Sequence, residues 1–440
     1  MPDAAVASQG STPGVTPDAS ALPGRLLPDT AAVDGAGRLA IGGCDAHDLV
    51  ERFGTPLFVY DEAHLRARCG EARRAFPDGV AYATKAFLCR GMARLAHDEG
   101  LALDVATGGE LHVALAAGVP ADRLVFHGNN KSDAELLAAL EAGVGRIVVD
   151  SFDELDRLDR LAPGRGARPS VLLRLTPGVE AHTHEFVRTG QVDSKFGFGL
   201  AAGDAAAAVQ RARRSDAVNL VGVHIHIGSQ VFVADFFHQA VEVLAPFVAP
   251  LHLDEFSVGG GLGVAYVAGE EAPTIAEWGA CVTDACAAAG IHGRITGEPG
   301  RAIVATAAVT LYRVGTIKEI PGIRTYVSVD GGMSDNPRPV LYGSGYETFL
   351  PRATFAPRPR VVTVVGKHCE SGDVLVRDGR VPEDLAVGDL LATPVTGAYG
   401  HSMGSNYNKV PRPAVVFVAG GEARLVVRRE TNDDLLRLDL

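Results

Sequence analysis

Cysteine pairs, basic stretches, long apolar runs and aromatic side chains are all scarce in this 440-residue chain. The six cysteines, at 44, 69, 89, 281, 286 and 369, are scattered and include no C-x-x-C pair. That excludes a zinc ribbon and a secreted disulfide scaffold, and points to a reducing, cytoplasmic compartment. Lysine and arginine total 41 against 53 aspartates and glutamates, a net charge of −12 with no basic stripe, so nucleic acid is not an expected partner. No apolar run reaches about 18 residues, so no membrane span is expected. The pattern G-x-x-x-x-G-K-[ST] is absent, which excludes a P-loop. Residues 1–35 lack the charged start and apolar core of a signal peptide; their Ala, Pro, Ser, Thr and Asp content predicts a disordered tail. Aromatics make up only 6%, whereas glycine numbers 52 and alanine is abundant, a composition suited to close helix packing and tight βα turns.

What is present is a repeat. From about residue 80, short β-branched runs alternate with Ala/Leu-rich amphipathic segments. Three of these segments open on the capping-box spacing, at Thr107…Glu110, Ser132…Glu135 and Ser151…Glu154. Gly118, Gly143 and Pro163-Gly164 supply the corresponding stops. Strands are predicted over 80–86, 101–106, 123–128, 146–150, 170–176, 220–227, 255–259 and 293–297. Strand–helix units repeated in this way indicate a (β/α)8 TIM barrel. Beyond about residue 303 come short apolar runs at 324–329, 361–365, 374–377, 390–393, 414–418 and 424–428, with hairpin signals at Asp378-Gly379 and Gly420-Gly421. The expected class is therefore α/β plus all-β: tail 1–35, N-terminal strands 36–60 joining the β-domain, barrel 61–303, and a C-terminal domain 304–440 of β-sandwich or Greek-key type.

In such a barrel, reactive groups gather at the C-terminal strand ends. Those ends carry Lys85, Asp104, His127-Gly128-Asn129-Asn130, Asp150, Arg174, His226-Ile227-Gly228-Ser229, Gly259-Gly260-Gly261 and Glu298-Pro299-Gly300-Arg301. Period-two alternation places Lys85 above Ala81 and Ala83, a small-residue well in which a desolvated lysine suits Schiff-base formation. On position alone, a snorkelling surface lysine fits equally well. The triple glycine lets backbone amides close on an anion, although a plain tight turn explains it as readily. His224 and His226 share one face of their strand, which reads either as a metal-ligand pair or as two satisfied core histidines.

Together with Asp330-Gly-Gly-Met-Ser-Asp335, Arg338-Pro-Val-Leu-Tyr342, Cys369-Glu-Ser-Gly-Asp373 and Gly397-Ala-Tyr399, these motifs resemble the fold-type III pyridoxal-phosphate decarboxylases over roughly residues 40–440. The resemblance is strongest to the branch that converts meso-2,6-diaminopimelate to L-lysine and CO2, the last step of lysine biosynthesis. The segment Val179-Glu-Ala-His-Thr-His-Glu-Phe186 matches the actinobacterial members. The resemblance implies pyridoxal 5'-phosphate as cofactor, no catalytic metal, and a homodimer with active sites at its interface. Lys85 would carry the cofactor and His226 would lie over its ring. Glu298 would pair with the ring nitrogen, and Asp104, Ser229, Gly260, Gly261, Gly300, Arg301 and Tyr399 would complete the cofactor site. Arg301, Arg338, Tyr342 and Tyr399 would bind substrate, with Cys369 and Glu370 reaching in from the partner subunit. The proton returned after CO2 loss falls to Cys369 or to Lys85.

Elementary chemistry supports the branch. A carboxylate beside the ring nitrogen keeps it protonated and favours decarboxylation over racemisation. Arg338 offers a planar fork to a distal carboxylate, and Glu370 remains for a distal ammonium. The rival expectation is a sister decarboxylase acting on ornithine, lysine or carboxynorspermidine. Two departures from the family pattern stand out: Pro337 beside Arg338, and Gly400-His401 after Tyr399.

Overall fold

The computed structural model describes residues 22–178 and 194–440; residues 1–21 and the segment 179–186 singled out above lie outside the described residues. Strand β1 (Leu57–Asp61) precedes the parallel strands β2 (Ala81–Ala83), β3 (Ala102–Val105), β4 (Leu124–Phe126), β5 (Arg146–Val149), β6 (Ser170–Thr176), β7 (Asn219–Ile225), β8 (Glu255–Ser257) and β9 (Arg294–Thr296). β2 to β9 pair in chain order, and a parallel bridge from Val80 to Gly297 closes the ring. This is the (β/α)8 barrel read from the repeat. Its strands are buried on both faces, which is why they appear in the sequence as unbroken apolar runs.

The helices pack by small-residue contacts. Trp278 is fully buried between Phe76 and Phe237. A Cβ on Gly279 would stand 2.7 Å from that of Ala75, so glycine sets how closely helices Glu62–Ala75 and Ile275–Ala288 approach. Ser132 and Glu135 form the full reciprocal cap. Thr107 and Ser151 cap their helices too. Their glutamates, however, accept from the residue before the cap: Glu110 from Ala106 N at 2.6 Å and Glu154 from Asp150 N at 3.0 Å. Strand end and helix start are tied together in this way just where the chemistry gathers.

The second domain is a mixed sheet. Its strands are β10 (Ala308–Ile320), β11 (Arg324–Val329), β12 (Arg360–Val365), β13 (Val374–Val381), β14 (Leu390–Pro394), β15 (Ala414–Ala419) and β16 (Glu422–Val427). β10 pairs with β11, with β14 and with β1, while β1 also pairs in parallel with β15. Gly420 and Gly421, at φ 58° and 84°, turn the β15–β16 hairpin. The hairpin expected at Asp378-Gly379 is not there. Asp378 sits inside β13 at φ 50°, where two residues of β13 face one of β12, so the pair marks a bulge and not a turn.

The expected tail also ends earlier than residue 35. Leu22, Leu26 and Leu27 are buried, and Thr30 donates to Asp61. A low average hydrophobicity hid a few apolar residues that are enough to anchor this stretch.

Candidate active site

At the C-terminal mouth of the barrel lies a small cleft. It is lined by Lys85, Asp104, His226, Ser229, Gly260, Gly261, Glu298, Gly300, Arg301 and Tyr399, with Ala83, Leu262, Pro299 and Ala302 between them. Lys85 does not continue its strand. β2 ends at Ala83, and a 3-10 turn over Thr84–Ala86 lifts the lysine into the cleft, where it is exposed and not desolvated as the strand alternation predicted. Tyr399 comes from the β-domain. Its backbone N–H donates to Ala86 O at 2.7 Å, and its φ of 66° is a left-handed conformation unusual for tyrosine. Tyr60 of β1 stacks on Phe87 at 4.5 Å and donates its hydroxyl hydrogen to Gly397 O at 2.8 Å. The two domains thus meet at the lysine turn.

The glycines allow close backbone approach. A Cβ on Gly259 would lie 2.2 Å from Ile225 O, one on Gly260 2.2 Å from Glu298 O, and one on Gly261 2.1 Å from Gly228 O.

Glu298 is buried at the barrel axis with three neighbours. Ser257 Oγ donates to Oε1 at 3.0 Å, His224 Nε2 lies 3.0 Å from Oε2, and His127 Nε2 lies 3.3 Å from Oε1. Burial alone would raise its pKa, but the His224 and His127 rings hold the carboxyl well below the usual carboxylate range. His127 shows the converse. Burial opposes its charge, but Asp104 and Glu298 win and push its pKa up. Burial pushes His224 down, and burial together with the Lys85 ammonium pushes His226 well down. His226 Nδ1 accepts from Gly260 N at 3.2 Å. Among the described residues, the group of three ligand-type side chains whose atoms lie within 4.8 Å of one another is His127, His224 and Glu298, without His226.

Sequence reasoning missed the part played by His127, His224 and Ser257. They stand at separate strand ends, and only barrel closure brings them onto Glu298.

Beside the cleft, Arg301 donates from Nη1 to the Tyr266 hydroxyl at 2.6 Å and from Nη2 to Ser229 Oγ at 2.9 Å. Arg338 is 3% exposed and donates from Nη1 to the Tyr346 hydroxyl at 2.6 Å. The Nε of each arginine is buried without a hydrogen-bond partner. Pro337, with helical φ and ψ of −76° and −9°, starts the short helix Arg338–Tyr342 and turns Arg338 inward; Tyr342 is half-buried on that helix. Gly400 leaves room against Phe58, and His401 stands edge-on to Phe58 and Phe87.

Cys369 and Glu370 are not brought to the cleft of their own chain. Both are exposed, on a loop fixed by buried His368, whose Nδ1 lies 2.8 Å from Asp373 Oδ2. Asp373 also accepts from Met333 N at 2.6 Å, and Cys369 N donates to Asn408 Oδ1 at 2.9 Å.

Residues 62–305 match the family "Pyridoxal-dependent decarboxylase, pyridoxal binding domain". The diaminopimelate decarboxylase of Mycobacterium tuberculosis is 49% identical over 437 residues, covering 94% of this chain and 98% of that protein. The chain belongs to the diaminopimelate decarboxylase family.

Another member, from Bacillus subtilis, is 48% identical over 92% of this chain and 95% of its own length. The crystal structure of diaminopimelate decarboxylase from M. jannaschii in complex with L-lysine superposes with a TM-score of 0.87 at 34% identity, covering 94% of this chain and 98% of that one. The resemblance read from the motifs is borne out, and with it the cofactor: this is a pyridoxal-phosphate-dependent decarboxylase. The site fits that cofactor on its own terms. It offers a lysine within the cleft, a buried carboxylate held anionic, and glycines at which a Cβ would strike backbone. Among the described residues no helix is long and apolar enough to cross a membrane.

Proposed function

We propose that this chain decarboxylates meso-2,6-diaminopimelate to L-lysine and CO2, the last step of lysine biosynthesis. The observation that carries the reading is the pair of buried guanidiniums, Arg301 and Arg338. Each keeps an unpartnered Nε, and Arg301 lines the lysine-bearing cleft. A buried donor without a partner costs about 1–3 kcal/mol, which a carboxylate recovers when it binds. A diamine lacking that carboxylate leaves the cost in place, so the site favours a substrate with a carboxylate at its far end.

Pyridoxal phosphate, when bound, supplies the electron sink for the pair left behind by departing CO2. Lys85 would hold it, and Glu298 would take its ring nitrogen. Ser229, Gly260, Gly261, Tyr399 and the backbone of Gly300 and Arg301 would take its phosphate, with His226 against the ring and Asp104 nearby. Ser257 and the two histidines keep Glu298 a carboxylate, so it accepts a hydrogen bond and does not compete for the proton. His226 is neutral and adds no positive charge next to the Lys85 amine.

Exposed Cys369 and Glu370 favour a homodimer in which each copy completes the other's site, with Tyr342 close to the substrate's distal end. Cys369 or Lys85 returns the proton. We place the enzyme in the cytoplasm, with the small amino-acid substrate as its ligand.

The test is CO2 release from four substrates supplied in parallel. Turnover of meso-diaminopimelate at least about 100-fold above ornithine, lysine and carboxynorspermidine is expected. A preference for ornithine overturns the reading. Mixing inactive Lys85→Ala and Cys369→Ala proteins tests the shared site. Recovery of about a quarter of wild-type activity is expected from the mixed dimers, and no recovery rejects the exchange.

A further inference from the structure

Two guanidiniums that are to share one carboxylate must be held apart and aimed before it arrives, because their like charges repel. Tyr266, 2% exposed, stands between them. Its hydroxyl accepts from Arg301 Nη1 at 2.6 Å, and its ring face lies beneath Arg338, whose Cζ is 4.1 Å from the centroid. Tyr346, the hydroxyl partner of Arg338, meets the Tyr266 ring edge-on at 5.2 Å. These contacts engage Nη1 of both arginines and Nη2 of Arg301, and leave one buried Nε on each arginine without a partner.

Tyr266 is itself fixed from behind. Its backbone N–H donates to Glu270 Oε2 at 2.7 Å, Arg25 donates to Ala268 O and to Glu270 O, and Ala268 N donates to Glu347 Oε1 at 3.1 Å. The tyrosine is a preset wedge and not a side chain recruited by ligand.

We infer that Tyr266 is a positioning residue that sets the preference for ligands carrying a distal carboxylate, by spacing and orienting Arg301 and Arg338. The inference rests on the function proposed above.

The experiment compares two competitive inhibitors of the pyridoxal-phosphate-loaded enzyme. L-lysine keeps the distal carboxylate, and 1,5-diaminopentane lacks it. The unsubstituted enzyme should bind L-lysine about 30-fold more tightly. Tyr266→Phe keeps the ring and loses the hydroxyl acceptor, so the ratio should fall to about 5-fold. Tyr266→Leu removes both contacts and should bring the ratio close to 1. Binding of 1,5-diaminopentane and the visible spectrum of the bound cofactor should not change in either variant. Equal weakening of both inhibitors, loss of cofactor, or an unchanged ratio in Tyr266→Phe overturns the inference. The Phe variant decides the matter if the Leu variant fails to fold. An unsubstituted enzyme that does not release CO2 from meso-diaminopimelate sinks the functional reading and this inference with it. One that does, with variants keeping the full ratio, overturns the role of Tyr266 alone.

Discussion

The two ends of the barrel handle buried charge in opposite ways. At the N-terminal end, Glu255 is ion-paired with Arg146 at 3.0 Å and with Arg294 at 3.4 Å. Arg294 also donates to Asp78 O, and Arg123 donates to Gly100 O. At the C-terminal end and in the β-domain beside it, Arg301 Nε and Arg338 Nε are buried without hydrogen-bond partners. The first end pairs these groups with one another; the second ties Glu298 to Ser257, His224 and His127 and Lys131 to Glu154, and still keeps arginine donors in reserve. Completed pairs serve stability, whereas unfinished ones mark the places where a ligand finishes the network.

Substitutions at the two ends should therefore separate cleanly. The largest effect is expected for Lys85→Ala, with a loss of turnover of about 10⁴-fold or more and no visible absorbance from bound cofactor. Absorbance surviving in that variant would remove Lys85 from the reading. Glu298→Gln should cost about 10²–10³-fold in kcat while the protein unfolds at nearly the same temperature. At the opposite end, Glu255→Gln should do the reverse. It should lower stability by about 1–3 kcal/mol in urea, since Arg146 loses its partner, and leave kcat within about 2-fold. A drop in kcat comparable to that of Glu298→Gln would break the contrast between the ends.

The smallest effect concerns His401, whose burial lowers its pKa to about 3. A base depressed in the folded state stays neutral there while the unfolded chain takes up a proton below about pH 6.5, so stability falls as pH drops from 6.5 toward 3. At pH 5 the penalty is about 2 kcal/mol. His401→Tyr should remove it, so the melting temperature of the variant should fall about 2 °C less than wild type between pH 7 and pH 5. Parallel pH profiles for the two proteins would reject this account.

Much of this was legible in the amino-acid order because parallel strands buried on both faces leave apolar runs. Ser170–Thr176 was read to its exact bounds, and the other barrel strands lie within the runs read for them or one residue outside. β10 escaped notice because its outer half, from Arg313 through Thr316 to Glu319, is largely exposed and polar and shows no apolar run. The cleft-lining residues were accessible through motif and strand-end position. Tyr266 was not: it sits in a loop beyond the triple glycine, and its importance lies in two arginines 35 and 72 residues further along the chain. His127 and Glu298 were both legible at strand ends, but their contact was not, because they meet only in three dimensions.

Strand β1 has a bearing on how the molecule is made. Leu57 pairs with Leu311 on one side and with Ala414 on the other, so a segment synthesised early forms the middle of a sheet whose last strands are synthesised late. During synthesis one edge of the strand must wait for β10, and the other for β15, when nearly the whole chain has emerged. Contacts this distant in sequence slow folding. A fragment running from the N-terminal side of β1 to the end of the barrel would carry β1 as an exposed apolar edge, a template for aggregation. The barrel and the β-domain are distinct in architecture, but the chain cannot be cut between them without leaving one half unfinished.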